Sequence, residues 1–224
     1  MVSVDPHEGY RSAVVGDDPA TGLPSPWRDV TVVVDPFHIV RLGNQAVTRC
    51  RHRVQQELLG HRGWKDDPLY RIRRLLLVGS ERLDATGSAK LQAGLNAGDP
   101  LDQVTEAWRA KEHLRAVYLT DDVEVATVRL EEAITFATAS AVPEVRTLAK
   151  ALVRWRAEIL AHHTTGASNG PTEAVNLTIK AVKRCGRGFR NFGNYRLRLL
   201  LVAGVRWQTA QVTRLRGRAP RLIE

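Results

Sequence analysis

The sequence predicts an α/β fold interrupted by a large all-helical insertion, and three observations carry that prediction. Two short β-branched runs, Val2 to Val4 and Val30 to Val34, flank a helical stretch, and each ends at an aspartate, Asp5 and Asp35. From about Gly43 to Ile159 no strand pattern breaks a succession of apolar-periodic helices. After Gly170 a helix begins that carries one early carboxylate, Glu173, and then turns densely basic.

Taken in order, Val2 to Val4 resemble the last residues of a buried strand that stops at Asp5. A sheet does not ordinarily begin with so short an orphan strand, so the chain is expected to be the C-terminal portion of a longer protein. Pro6 to Val15 fits a short helix, and Gly16 to Pro26 is a turn-rich loop. Val30 to Val34 has the continuous β-branched character of a strand buried on both faces. It ends at Asp35-Pro36-Phe37-His38, and ligands of open α/β sheets bind at such carboxyl ends. The helical block divides into Val47 to Leu59, Pro68 to Leu77, Ala85 to Ala97, Pro100 to Tyr118, Asp121 to Ala139 and Pro143 to Ala161. Asp84, Asp99 and Asp121 or Asp122 are suited to cap these helices, while Gly87 and Gly94 weaken the third. The expected organisation is a first core segment at 1–43, the insertion at 44–160, final core helices at 161–205 and a basic tail at 206–224. Within the third segment a helix from Glu173 reaches the turn Gly186-Arg187-Gly188. Asn194 to Val205 then offers a last helix with Leu197, Leu200 and Leu201 on its apolar face.

With 224 residues, 43% hydrophobic and 25% charged, the chain can bury a proper core. Its net charge of +9 is unusual and points to nucleic acid as the partner. A membrane surface finds no support, since no long apolar run or amphipathic anchor is present. Cys50 and Cys185 lie far apart and no secretory signal precedes them, which fits a cytoplasmic protein with free thiols.

The chemistry concentrates where strands and helices end. Asp5 alone suits a helix cap or turn, but Asp35 leaves the next strand at the same edge, so two carboxylates are aimed into one crevice. Glu173 can join them from the helix after Gly170, which Ser168 or Asn169 can cap and Pro171 can open. Converging carboxylates repel unless a hard cation such as Mg²⁺ (or Mn²⁺) neutralises them. Two such ions about 3.5–4 Å apart would clamp the oxygens of a phosphodiester undergoing displacement. Asp35-Pro36-Phe37-His38 could supply a general acid-base pair or a ligand, or equally a strand-end cap with a histidine bonded to it. His162 and His163 point in different directions on a helix, which favours structural or phosphate-contacting roles over zinc. Asn176, Lys180, Lys183, Arg184, Arg187, Arg190, Arg196 and Arg198 form a basic run interleaved with Phe189, Phe192 and Tyr195, a pattern suited to the phosphate backbone of DNA. The Gly-Arg-Gly turn within it is expected to expose backbone N–H groups. Trp108, Lys111, Glu112, Arg115 and Tyr118 share a helical face best explained as a packed seam with an internal salt bridge.

Three of these motifs, Val34 to His38, His162 to Ala174 and Gly188 to Arg198, resemble those of bacterial DDE transposases of the ISL-three insertion-sequence family. The resemblance spans nearly the whole chain. It implies a ribonuclease-H-like core interrupted by a helical insertion, which cuts and joins DNA at transposon ends and at the target with Mg²⁺ or Mn²⁺. Glu173 then matches the family's final glutamate and Asp5 its second aspartate, both as metal ligands, while Asp35 and His38 match an auxiliary Asp-x-x-His motif. Asp35 in the second catalytic role is the alternative. The family's first aspartate and its N-terminal recognition segments have no counterpart here. The resemblance therefore implies an N-terminally truncated transposase, inactive in isolation and homo-oligomeric in full-length form. The alternative is a non-catalytic basic DNA-binding remnant that interferes with intact transposase.

Overall fold

The computed structural model describes residues 2–16, 25, 27 and 29–204. It divides into two compact units, Met1–Asn169 and Gly170–Glu224. The first begins with strand β1 (Val2–Val4), helix α1 (Glu8–Val15) and strand β2 (Val32–Val34). The strands pair in parallel, with Val2, Ser3 and Val4 opposite Val32, Val33 and Val34. Val33 and Val34 are fully buried, as a strand covered on both faces requires. The α/β expectation is therefore met only by a two-stranded sheet, and the described residues are otherwise mostly helical. His7, not Asp5, caps α1: its Nδ1 accepts the Gly9 N–H at 3.1 Å.

Helix α2 (Pro36–Leu59) starts directly at the exit of β2, eleven residues before the Val47 expected from the pattern. Pro36 at its first turn is preset for helical φ, and its ring holds Asp35 extended (φ −64°, ψ 126°). Gly43 does not break the helix but permits close packing. A Cβ there would lie 3.2 Å from Leu114 Cδ2 and 3.3 Å from Lys111 Cγ of the helix packed against it.

The stretch expected as one helix from Pro68 to Leu77 is instead α3 (Pro68–Arg71) and a 3₁₀ turn at Leu75–Leu77, with another at Ser80–Arg82. The carbonyls of Leu76 and Val78 accept hydrogen bonds from Lys111 Nζ at 2.7 and 2.8 Å, which accounts for the irregular path. Helices α4 (Ala85–Gly98), α5 (Gln103–Val117), α6 (Val123–Ala139), α7 (Pro143–Arg154) and α8 (Arg156–Thr165) follow. Asp84 and Asp122 cap α4 and α6 as expected. Asp99 accepts from the Thr105 N–H at 2.8 Å and from its hydroxyl, in the first turn of α5. Trp155, at φ −100° and ψ 15°, separates α7 from α8 where one helix was expected.

The core is a ring of four helices in which α5 packs on α2, α6 on α5, α7 on α6, and α7 also on α2. Its seams follow helical spacing: Val104, Ala107, Ala110, Leu114 and Val117 on α5, Ala126, Leu130, Ala133 and Ala137 on α6, and Val145, Leu148, Ala149 and Leu152 on α7. The recurrent alanines let the helix axes approach closely. Arg53 ties α2 to α7 by a two-pronged bond to Glu144, at 2.9 and 3.0 Å. Helix α8 covers β2 and so joins the bundle to the sheet.

The second unit contains α9 (Gly170–Cys185) and α10 (Phe192–Leu199), followed by a π turn at Leu200–Gly204. Asn191 caps α10 through Gly193 N–H at 2.8 Å, so this helix starts before the expected Asn194. Leu197, Leu200 and Leu201 are exposed rather than buried. The basic tail at 206–224 lies outside the described residues.

Candidate active site at the strand ends

The parallel register places Asp5 and Asp35 one residue beyond the paired ends Val4 and Val34. The Asp35 N–H continues the ladder by donating to the Val4 carbonyl at 3.3 Å. Both carboxylates converge on one imidazole. His38 Nδ1, one turn into α2, lies 3.1 Å from Asp35 Oδ2 and 3.2 Å from Asp5 Oδ1. Carboxylates are acceptors only, so this contact needs the proton on Nδ1. Asp35, His38 and Asp5 thus form one hydrogen-bonded group, with the histidine bonded to Asp35, although the Asp35 side chain makes no capping bond to α2.

Asn169 closes the site from the far end of the unit. Its backbone N–H donates to Asp35 Oδ1 at 3.1 Å, and its side-chain amide donates to Asp5 Oδ1 at 3.4 Å. The sequence marked Asn169 only as a helix cap. Its place inside the His162 to Ala174 motif was the available signal for a site role. The loop that delivers it is held by His162 Nδ1 against the Ala167 carbonyl at 2.7 Å and by Gly166 in the left-handed conformation at φ 64°. His162 and His163 pack against Tyr118, with ring centroids 5.8 and 5.6 Å away. Both rings are thus engaged in packing at the end of α8.

Asp35 and Asp5 differ in environment. The Asp35 side chain is 8% exposed, and burial, with the Asp35 charge adding to it, raises the pKa of Tyr118. The Asp5 side chain is 45% exposed, and among the described residues nothing donates to its Oδ2. Asp35 is therefore the braced carboxylate and Asp5 the one open to a ligand. Burial lowers the pKa of His163, reinforced by His162.

In the second unit Glu173 is exposed in the first turn of α9. Asn176, Lys180, Lys183, Arg184, Arg187, Arg190, Arg196 and Arg198 are all exposed as well. The turn at Gly186-Arg187-Gly188 departs from expectation. Its three N–H groups donate to Val182, Arg184 and Lys183 carbonyls at 3.0, 3.1 and 3.3 Å, closing the C-terminal end of α9. They are not offered to phosphate, so anion contact in this unit falls to side chains. Phe189 and Tyr195 pack at 5.0 Å, and Arg198 lies 5.6 Å from the Phe189 ring centre.

A family model described as Transposase, that of the DDE transposases of the ISL-three group, matches residues 1–199. The chain belongs to this DDE transposase family. Searches of curated proteins and of solved structures return no match. Membership in a DDE transposase family implies polynucleotidyl transfer on DNA, typically with divalent metal ions. The open Asp5 carboxylate of this transposase has the hard-oxygen chemistry such ions require. Among the described residues no three His, Cys, Asp or Glu side chains are grouped to hold an ion. Phosphate and water oxygens would therefore complete the coordination shell of an ion bound at Asp5. Among the described residues no helix is long and apolar enough to cross a membrane.

Proposed function

We propose that this transposase cleaves and joins transposon-end DNA with Asp5 and Glu173 as its metal-binding carboxylates. The observation that carries the reading is the meeting of Asp5 and Asp35 at the ends of paired parallel strands, beside His38 and Asn169. Asp5 presents to Mg²⁺ or Mn²⁺ a carboxylate oxygen, Oδ2, to which no described residue donates, and the ion would stabilise charge on the phosphodiester oxygens. Asp35 and His38 are positioning residues: Asp35 anchors the imidazole and the Asn169 backbone, and His38 fixes the orientation of Asp5. The exposed basic side chains from Lys180 to Arg198, with Asn176, hold the DNA backbone. In the same reading the strands and final helices belong to a ribonuclease-H-like core, residues 44–160 form its insertion, and the working enzyme is a homo-oligomer.

The test combines Mn²⁺ titration followed by electron paramagnetic resonance with cleavage of a labelled duplex carrying the element's own ends. Asp5→Asn and Glu173→Gln should each weaken Mn²⁺ binding about tenfold or more and abolish cleavage. Unchanged Mn²⁺ affinity in both variants would overturn the assignment of ligands. Cleavage at the parental rate in Glu173→Ala would overturn the catalytic role of that residue.

A second reading, DNA binding without cleavage, is favoured by the lack of a three-ligand carboxylate or histidine group among the described residues. It expects salt-sensitive, sequence-indifferent binding and no Mn²⁺-dependent product.

A further inference from the structure

A groove of about 580 Å³ lies between α1 and α7 in the first unit, apart from the strand-end aspartates. Arg11 enters it from α1, and Arg146, Lys150 and Arg154 from α7, with Ala149 and Val153 among the apolar lining residues. Among the described residues no acidic side chain lines it. The α7 cations recur at i, i+4 and i+8, so they form a stripe about 6 Å apart along one helix face. Arg146 and Lys150 are exposed, and among the described residues neither side chain makes an ion pair or hydrogen bond. Arg11 is held in place before any ligand arrives. Its Nε pairs with the buried Glu158 at 2.9 Å, and its guanidinium lies 5.8 Å from the Trp155 ring centre. A pre-oriented guanidinium loses less freedom on binding an anion than a mobile one.

We propose that this groove is a second DNA-contacting surface, one that takes the sugar-phosphate backbone of duplex DNA along α7. The charge pattern matches a chain of phosphates, and exposed Val153 offers apolar contact to deoxyribose. An anionic bilayer fits less well. The other large apolar side chains of α7, Val145, Leu148 and Leu152, are buried in the bundle and leave Val153 alone among them to insert. The inference rests on the reading of the chain as a protein that acts on DNA, and the two fail differently.

The experiment measures binding of the full chain to a fluorescent duplex by anisotropy at several salt concentrations. Neutralising both free cations in Arg146→Gln/Lys150→Gln should lower the slope of log K against log salt by about 2, equally on any sequence. The residues are exposed, so thermal unfolding should be unchanged. Independently, bound duplex should protect Lys150 from amine acetylation read by mass spectrometry. A parental slope together with unprotected Lys150 overturns the groove. If Lys183→Gln/Arg187→Gln still lowers the slope in that case, the wider DNA reading survives. Parental binding to phosphatidylserine vesicles that the Arg146/Lys150 variant loses, with DNA binding intact, would reassign the groove to lipid and overturn the proposal.

Discussion

Lys111→Met isolates the most buried charge among the described residues. Lys111 is fully buried in α5, and burial lowers its pKa against the pull of Glu112. Its ammonium meets the carbonyls of Leu76 and Val78 at 2.7 and 2.8 Å and the Glu112 carboxylate at 2.5 Å. Methionine preserves most of the stem volume and leaves the packing against Gly43 in place. What disappears is the donor, so two backbone carbonyls lose this donor and Glu112 loses its nearest cation. Glu112 keeps the Ser80 N–H and hydroxyl at 3.1 and 3.0 Å, which limits the damage on that side. Removing one partner of a buried pair costs about 3–5 kcal/mol. For a unit of this size that corresponds to a fall of roughly 6–20 °C in unfolding temperature. Urea unfolding followed by far-ultraviolet circular dichroism measures it. The double variant Lys111→Met/Glu112→Gln should recover part of the loss, because the remaining charge is gone. A loss below about 1 kcal/mol in the single variant would refute the view that this ammonium holds the 3₁₀ turn at Leu75–Leu77 onto α5.

Two further predictions follow from the strand-end site. Asp35→Asn weakens the acceptor of the Asn169 N–H, so that amide should exchange with deuterium about tenfold faster, whereas amides in α6 should keep their protection. Because the pKa of His163 is lowered in the folded state, the unfolded chain binds the extra proton first. Stability should therefore fall as pH drops below the ordinary histidine value of 6.5 and level off beneath the folded value. His163→Phe should flatten that acid limb in denaturant titrations at pH 5 to 7, and an unchanged limb would exclude His163 as its source.

How much of this was legible beforehand follows from the range of the forces involved. The amino-acid sequence by itself determined the two β-branched strands, the aspartate at each exit, the helical periods of α5, α6 and α7, and the basic character of α9 and α10. These depend on side-chain period and local chemistry, which a few consecutive residues carry. Its motifs also sufficed for the transposase family. Tertiary structure decided the rest. Helix α2 begins at Pro36 rather than Val47, and the need for Gly43 within it shows only once Leu114 and Lys111 are seen to fill the space a side chain would take. The 3₁₀ path after α3 depends on an ammonium 35 residues away from one of the carbonyls it binds. Asp35 and Asn169 meet across 134 residues of chain, and only the bundle that folds between them brings the second beneath the first. The N–H groups of Gly186 to Gly188 close their own helix because Arg187 and Gly188 adopt positive φ, at 50° and 95°. Period and composition are local properties, whereas the partner a buried polar group finds is settled by what packs against it.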